Sequence, residues 1–535
     1  MPDPDAAAPS RLNAARVSGP ASPPASPTSA RATAWSSRLS AAIAVACLLA
    51  IAVQPARAQG PLDDRIAAVL DEFPRLRTAT VAVRALDTDT GAALASLDHQ
   101  GGPTPIRQGL IPASNMKLLT TGAALHILPE DFAWRTRLLV DGSTVYIVGS
   151  GDPGFGDPEL LERSDPPRTA DEFLDWLAEA VRSRGVDRVD ELVLDDRAFE
   201  PRRIHPTWKA SQLNRGYSAE VGGFNFHANV LLFSIRSQGA GRVPRYTIDP
   251  LAGPPPGWLQ ITNLARGIDR GRNTVWISRS IGSNRMTLRG NARSAVVDVA
   301  LHDAPLAAAR IIAARMPGPG GAQARRIRSG EAPPDPENPA NVAAVVRTPL
   351  RPALERINTD SANLYAEALL KTLGRTLTGE PGSWTNGAAA VRMVIQQRLG
   401  PDDARRVSIA DGSGYSRDNR VHPGTLARWL LSLANDPEIA RPFMESLPEV
   451  GEGTLRRRFR GADLDTRVLA KSGTLDHVRC LSGYVVAAER TVAFVCLVND
   501  LDRGSAERDA RLFHERVVEL IDESLAEQAG DRAGG

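Results

Sequence analysis

Apolar residues first settle into a regular period at Leu62, Ile66, Val69, Leu70 and Phe73, which predicts an amphipathic helix over residues 61–73. The stretch "TATVAVRALDTDTGAALASL" follows, two strand-like runs around the turn residues Asp87 to Gly91. At the far end "LAKSGTL", "VRCLSGYVV" and "TVAFVCLVN" predict three successive strands. Leu512, Phe513, Val517, Leu520 and Ile521 then predict a closing helix. The two ends thus supply complementary halves of one antiparallel sheet covered by helices, an α/β (α+β) class of fold. From Phe132 to Asn341 the pattern changes to short strands broken by Gly and Pro, with loops such as "DPLAGPPPGW". We read this as an inserted β-rich region of one or two small domains. Helical periodicity returns at "DSANLYAEALLKTLG" and continues beyond "GAAAVRMVIQQRL".

The first stretch, to about Ser37, is rich in Ala, Pro and Ser and has no apolar period, so it cannot pack as a domain. Arg38, an apolar run from Ala41 to Val53 and the small-x-small Ala56-Arg57-Ala58 then make an export signal, cleaved after Ala58. The run is too short to span a bilayer, so no transmembrane helix is expected in the mature chain and its place is periplasmic or otherwise extracytoplasmic. The length of the leader suggests that the natural start lies downstream of Met1. Cys47 lies in the run, but Ala44 stands where a lipoprotein signal wants a Leu-like residue, so lipidation is not expected. The layout expected is a leader over 1–58, a first segment over 59–131, the insertion over 132–340, a second segment over 341–527 and a disordered tail over 528–535.

A chain of 535 residues with 42% hydrophobic residues is long enough for more than one core. Its net charge is only +2, with arginines scattered singly, which excludes nucleic acid as a partner. Cys480 and Cys496 flank a predicted hairpin turn. A cross-strand disulfide and a pair of small buried apolar side chains both fit that spacing.

Charge matters more at single positions. Of 64 basic residues, four are lysines: Lys117, Lys209, Lys371 and Lys471. Pro112 and the apolar stretch from Met116 to Leu125 start a helix near Ser114, so Lys117 lies one turn beyond the Ser114 hydroxyl. Arginine cannot lose its proton at ordinary pH, whereas a desolvated lysine can, which makes Lys117 a candidate base. Alone, Ser-x-x-Lys is a common match, and the Ser361-x-Asn363 pair before a helix could be no more than a cap. In "AKSGTLDHVRC" a strand presents Lys471, Ser472, Gly473 and Thr474. Glycine there would let a ligand backbone lie alongside.

Together the three occur in the order Ser-x-x-Lys, Ser-x-Asn, Lys-[Thr/Ser]-Gly, on helix, loop and strand. This is the signature set of penicillin-binding proteins and serine β-lactamases. Positions 118 to 360 separate Lys117 from Ser361, several times what a simple β-lactamase needs. The chain therefore resembles the class C low-molecular-mass penicillin-binding proteins, D-alanyl-D-alanine carboxypeptidases and endopeptidases with extra domains between the first two motifs. "DGSGYSRDNRVHP" from Asp411 and "GSGDPGF" from Gly149 also look like that family. Ala362 and Ser472 depart from the commoner residues but keep the groups the chemistry uses.

The resemblance implies a penicillin-binding-protein/serine β-lactamase-like transpeptidase fold. It makes Ser114 the nucleophile, Lys117 its base, held neutral by burial and by the nearby Lys471, and Ser361 a proton relay. Asn363 would hold the substrate backbone, and the Ser114 and Thr474 N–H groups would form an oxyanion hole. Lys471, Ser472 and Thr474 would take the terminal carboxylate, on a strand kept open by Gly473. The implied partners are peptidoglycan stem peptides and cross-bridges, with β-lactams as covalent inhibitors and no metal or organic cofactor. Arg417 is a candidate for a stem carboxylate such as that of diaminopimelate, or for a surface salt bridge. Competing readings are a β-lactamase or esterase on the same scaffold, and a non-catalytic cell-wall binding protein. Gly149-x-Gly151-x-x-Gly154 matches a dinucleotide fingerprint, but Pro153 and Pro158 oppose the helix it requires. The histidines lack zinc spacing, and His477 suggests a Ser-His pair only by its proximity to the third motif.

Overall fold

The computed structural model describes residues 62–251, 253–317, 326–333, 335 and 338–533. The expected leader, with its export signal and Cys47, lies outside them. Helix α1 (Leu62–Asp71) buries Leu62, Ile66, Val69 and Leu70, the face its apolar period marks out. Strands β1 (Thr80–Asp87) and β2 (Ala93–Gln100) form the expected hairpin. Helices α2 (Met116–Ile127) and α3 (Asn363–Thr378) follow, separated by the insertion. Strands β3 (Arg467–Leu475), β4 (Val478–Val486) and β5 (Thr491–Asn499) and helix α4 (Ser505–Ala533) complete the frame.

The five strands form one antiparallel sheet in the order β3-β4-β5-β1-β2, and Thr80 of β1 lies opposite Asn499 of β5. The chain ends thus meet in the middle of the sheet. Both faces are covered, so β1 is buried at almost every position: Val81, Val83 and Ala85 face α1 and α4, whereas Ala82 faces the cluster that contains α2 and α3.

The insertion contains a five-stranded sheet in the order Arg326–Ser329, Glu191–Asp195, Thr144–Val148, Ala133–Asp141, Val342–Pro349. Its last two strands are antiparallel, so the chain leaves and re-enters side by side. The expected boundary at 340 therefore falls one strand short: residues 342–349 pair with this sheet, because the partner of an outgoing strand is the one that returns. Two three-stranded sheets, around Val230–Arg236 and Arg285–Arg289, make up most of the rest.

Two further expectations are settled. The tail expected to be disordered from 528 continues α4 as far as Ala533, since "AEQAGDRA" is mostly helix-forming and each added residue gains a hydrogen bond. Cys480 and Cys496 are both free and buried. Cys480 pairs with Leu497 and Cys496 with Leu481, one residue out of register, so their side chains enter the cores on opposite faces of the sheet.

Candidate active site

Ser114 sits in a single 3-10 turn, Ala113–Asn115, that runs directly into α2. The entry is tight, and Ala113 takes a left-handed φ of +46°. Two neighbours fix it. The Asn115 amide donates to the Lys471 carbonyl at 2.9 Å. Gly414, with φ +83°, packs so close that a Cβ there would overlap the Ala113 carbonyl oxygen. One turn on, the fully buried Lys117 places Nζ 3.3 Å from Ser114 Oγ. The same amine donates to Asn363 Oδ1 at 2.7 Å and to the Ser413 carbonyl at 2.9 Å.

Those two acceptors come from the second motif and from the "DGSGYSR" segment. Ser361 lines the cleft with a left-handed φ of +62°, and α3 begins two residues later. Among the described residues Ser361 makes no hydrogen bond to Lys117. The Asn363 amide is held within the protein, its Oδ1 accepting from Lys117 and its Nδ2 donating to the Tyr217 carbonyl at 2.7 Å, which leaves a second N–H for a ligand in the cleft it lines. One helical turn further, the buried Glu367 accepts from Gly412 N at 3.0 Å, Ser413 N at 2.8 Å and Trp384 Nε1 at 2.8 Å. Glu367 therefore holds the loop that presents the Ser413 carbonyl to Lys117. Asp411 braces the same loop, accepting from Gly414 N at 2.9 Å and Trp208 Nε1 at 2.9 Å. Sequence reasoning missed these two carboxylates, although the four-residue step from Asn363 puts Glu367 on the same helical face as that amide.

The third motif lies on β3, the edge strand. Ala470 N donates away from β4, to the Pro448 carbonyl. Ser472 and Thr474, two and four residues on, turn their N–H groups the same way, out from the sheet edge. Both residues line the cleft with Ser114. Gly473 serves a different purpose from the one expected. A Cβ there would come within 2.9 Å of the Pro112 carbonyl oxygen and 3.0 Å of Asn115 Oδ1, so glycine admits the nucleophile's turn and not a ligand.

Burial controls the charges. It brings the Lys117 amine down to about 8, against an upward pull from Glu367 and Asp411. Lys471 is pushed well below the usual lysine range, first by burial and second by the Lys117 charge. Burial lowers Lys117 as expected, but the coupling runs the other way: Lys471 gives way to Lys117 and adds nothing to its shift. Burial, then the nearby Asp411, lifts the Glu367 carboxyl to about 7.

The cleft is a cavity of about 510 Å³. Thr207, Lys209, Gln212 and Tyr217 of the insertion form one wall, facing Ser361, Arg417 and the end of β3. Lys209 reaches across to Asp476 at 3.2 Å. Arg417 forms no ion pair among the described residues but donates to the Asp476 carbonyl at 2.8 Å. His477 bonds the Leu501 carbonyl through Nδ1, away from Ser114. The Gly149–Gly154 run is no phosphate cradle: Gly149 packs against Gly223 and Gly151 against the Phe199 ring, and the helix that follows, Pro158–Glu162, has five residues.

Residues 62–518 match the model of the D-Ala-D-Ala carboxypeptidase 3 (S13) family. A D-alanyl-D-alanine carboxypeptidase of an Actinomadura species is 31% identical over 498 residues, covering 88% of this chain and 86% of the relative. One from Haemophilus influenzae is 24% identical over 417 residues, or 74% and 82% of the two chains. The crystal structure of penicillin binding protein 4 from Haemophilus influenzae superposes with a TM-score of 0.64 at 20% identity, over 84% of this chain and 99% of that one. That likeness shows a shared fold. The match over nearly the whole described chain, with Ser114, Ser361 and Asn363 lining one cleft and Lys117 bonded beneath it to Ser114 and Asn363, makes the chain a member of the D-Ala-D-Ala carboxypeptidase 3 (S13) family, serine peptidases that act on peptidoglycan through an acyl-enzyme.

Proposed function

We propose that Ser114 Oγ attacks the carbonyl between two D-alanines and passes its proton to Lys117 Nζ. The observation that carries this is the 3.3 Å approach of a buried amine to a hydroxyl at the cleft. As the tetrahedral intermediate forms, the backbone N–H groups of Ser114 and Thr474 stabilise the oxyanion. Lys117 then returns the proton toward the leaving nitrogen through Ser361, whose hydroxyl lines the same cleft. The C–N bond breaks, an ester remains on Ser114, and water hydrolyses it to restore the hydroxyl. Asn363 acts chiefly as a clamp that aims the Lys117 amine. Ser472 and Thr474 receive the terminal carboxylate, and the arrival of that charge favours the protonated form of Lys471. Arg417 retains guanidinium N–H groups for a stem carboxylate beyond its single bond to Asp476.

The substrates are peptidoglycan stem peptides and cross-bridges, which places the protein outside the cytoplasm, and β-lactams acylate Ser114. The test is intact-protein mass spectrometry after incubation with penicillin, alongside mass analysis of muropeptides. Wild type gains one adduct mass and releases D-alanine from pentapeptide stems. Ser114→Ala does neither. An adduct that persists in Ser114→Ala rejects the assigned nucleophile, and rapid turnover of the adduct points to a β-lactamase.

A further inference from the structure

Beyond the edge strand β3 the cleft continues into a second cavity, of about 710 Å³. The two share Thr454, Ser472, Thr474, Arg479 and Glu507 in their walls. Six arginines line the second cavity, against the single carboxylate of Glu507. Two of them are internally paired, Arg458 with Glu515 at 3.0 Å and Arg479 with Glu507 at 2.8 Å. The other four, Arg456, Arg457, Arg508 and Arg511, are exposed and pair with no carboxylate among the described residues. In a chain whose net charge is +2, this is a local concentration of cation that mutual repulsion opposes. It contradicts the expectation of singly scattered arginines, and the run "RRRFR" at 456–460 was its sequence signal.

The cavity also has a polar floor. His514 is 1% exposed and lines it, yet neither ring nitrogen has a hydrogen-bond partner among the described residues. Thr454 Oγ1 in the shared wall is likewise buried and unpartnered. Buried polar groups are otherwise almost always satisfied, so a donor and an acceptor left open beneath a ring of cations mark a ligand site. The start of α4 at Ser505, with Gly504 in the wall, adds its positive end to the same space.

We propose that this basin receives the leaving half of a cross-linked peptide, gripping the carboxylates of the second stem, and so favours cross-bridges over free stem ends. The inference rests on the proposed reaction. There, Ser472 and Thr474 hold the carboxylate of the leaving residue, and a lone D-alanine ends at that point. The basin opens from those same two residues, so whatever is attached beyond the leaving residue enters it. Its volume suits a ligand of several residues, and its charge suits one rich in carboxylates.

The test compares kcat/KM for a cross-linked muropeptide dimer with that for a pentapeptide monomer, in the mature protein and in Arg456→Ser/Arg457→Ser/Arg508→Ser. The penicillin acylation rate, measured alongside, reports whether the variant folds and keeps its nucleophile. The dimer-to-monomer ratio should fall about tenfold or more in the variant, and in wild type it should fall with rising salt. Arg508→Ser alone, the fallback if the triple variant does not fold, should move the ratio the same way by less. A ratio unchanged in the variant, or both substrates declining together, overturns the basin. So does an unchanged ratio with loss of polyphosphate binding, which would assign the basin to a phosphate polymer. If wild type is acylated by penicillin but cleaves neither peptide, the proposed substrates fail. If it is not acylated at all, the proposed nucleophile fails.

Discussion

Three acceptors surround the Lys117 amine at 2.7 to 3.3 Å, which suits an ammonium with three protons. A neutral amine can donate to only two. On deprotonation it keeps Asn363 and Ser413 and turns its lone pair to Ser114, whose hydroxyl then becomes the donor. Loss of one proton thus converts a resting hydrogen bond into the attacking arrangement without moving a heavy atom. Glu367 tunes this from one turn along α3: its charge raises Lys117, which burial brings to about 8. Replacing that carboxylate by an amide removes the upward pull. Glu367→Gln should therefore shift the pH midpoint of acylation below the wild-type value. It should also slow acylation at the plateau, because an amide cannot accept from the Ser413 and Gly412 N–H groups with both of its heteroatoms. A midpoint that stays fixed would remove Glu367 from the electrostatics and leave it a brace.

Helix α3 organises the site at the next scale. Asn363, Glu367 and Lys371 stand four residues apart on one face, meeting in turn the Lys117 amine, the 411–414 loop and the insertion. Lys371 Nζ donates to the Arg202 carbonyl at 2.9 Å, approaches Glu200 at 3.3 Å and lies 3.5 Å from the centre of the Trp384 ring. Among the described residues no hydroxyl bonds this lysine, and its contacts tie α3 to the insertion. Lys371→Met should lower stability by about 1–3 kcal/mol in chemical denaturation, since it removes a donor from the Arg202 carbonyl and the cation from the partly buried Glu200 carboxylate. The pH midpoint of acylation should stay where it is, and a shift in that midpoint would show that Lys371 also feeds the catalytic amine. Elements of this kind were only partly legible in the sequence. The terminal helices and strands have strong apolar periods and short turns, and they fold as expected. The motif residues were legible because few side-chain types can do the chemistry. Glu367 and Lys371 were not, because a charged residue on a helix usually faces water, and Asp411 was not, because a loop carries no periodic signal; only the packing of Trp384 and Trp208 against them shows their burial. The return strand 342–349 was obscured by its long separation from its partner, and the cysteine geometry turned on a one-residue register that composition does not specify.

Across the whole molecule, the insertion is part of the catalytic body. The described residues cluster as one compact unit, and Trp134, Phe199, Trp208 and Val221 share a core with Leu118, Tyr365 and Trp429. The 207–217 segment walls the cleft, and its Tyr217 carbonyl holds the Asn363 amide. Three distant stretches of chain therefore converge on one fully buried amine, the turn before α2, α3 and the 411–417 loop, and the insertion braces α3 through the Tyr217 carbonyl. That convergence is what lowers its proton affinity, and the account depends on it. The most direct test is the second-order rate constant for penicillin acylation across about pH 6 to 10, followed by intact mass in wild type and in Lys117→Arg. The account predicts a wild-type rate that climbs with pH through a midpoint near 8 and then levels, with Lys117→Arg at background throughout. A wild-type rate flat over that range, or an arginine variant that acylates at the wild-type rate, would contradict it.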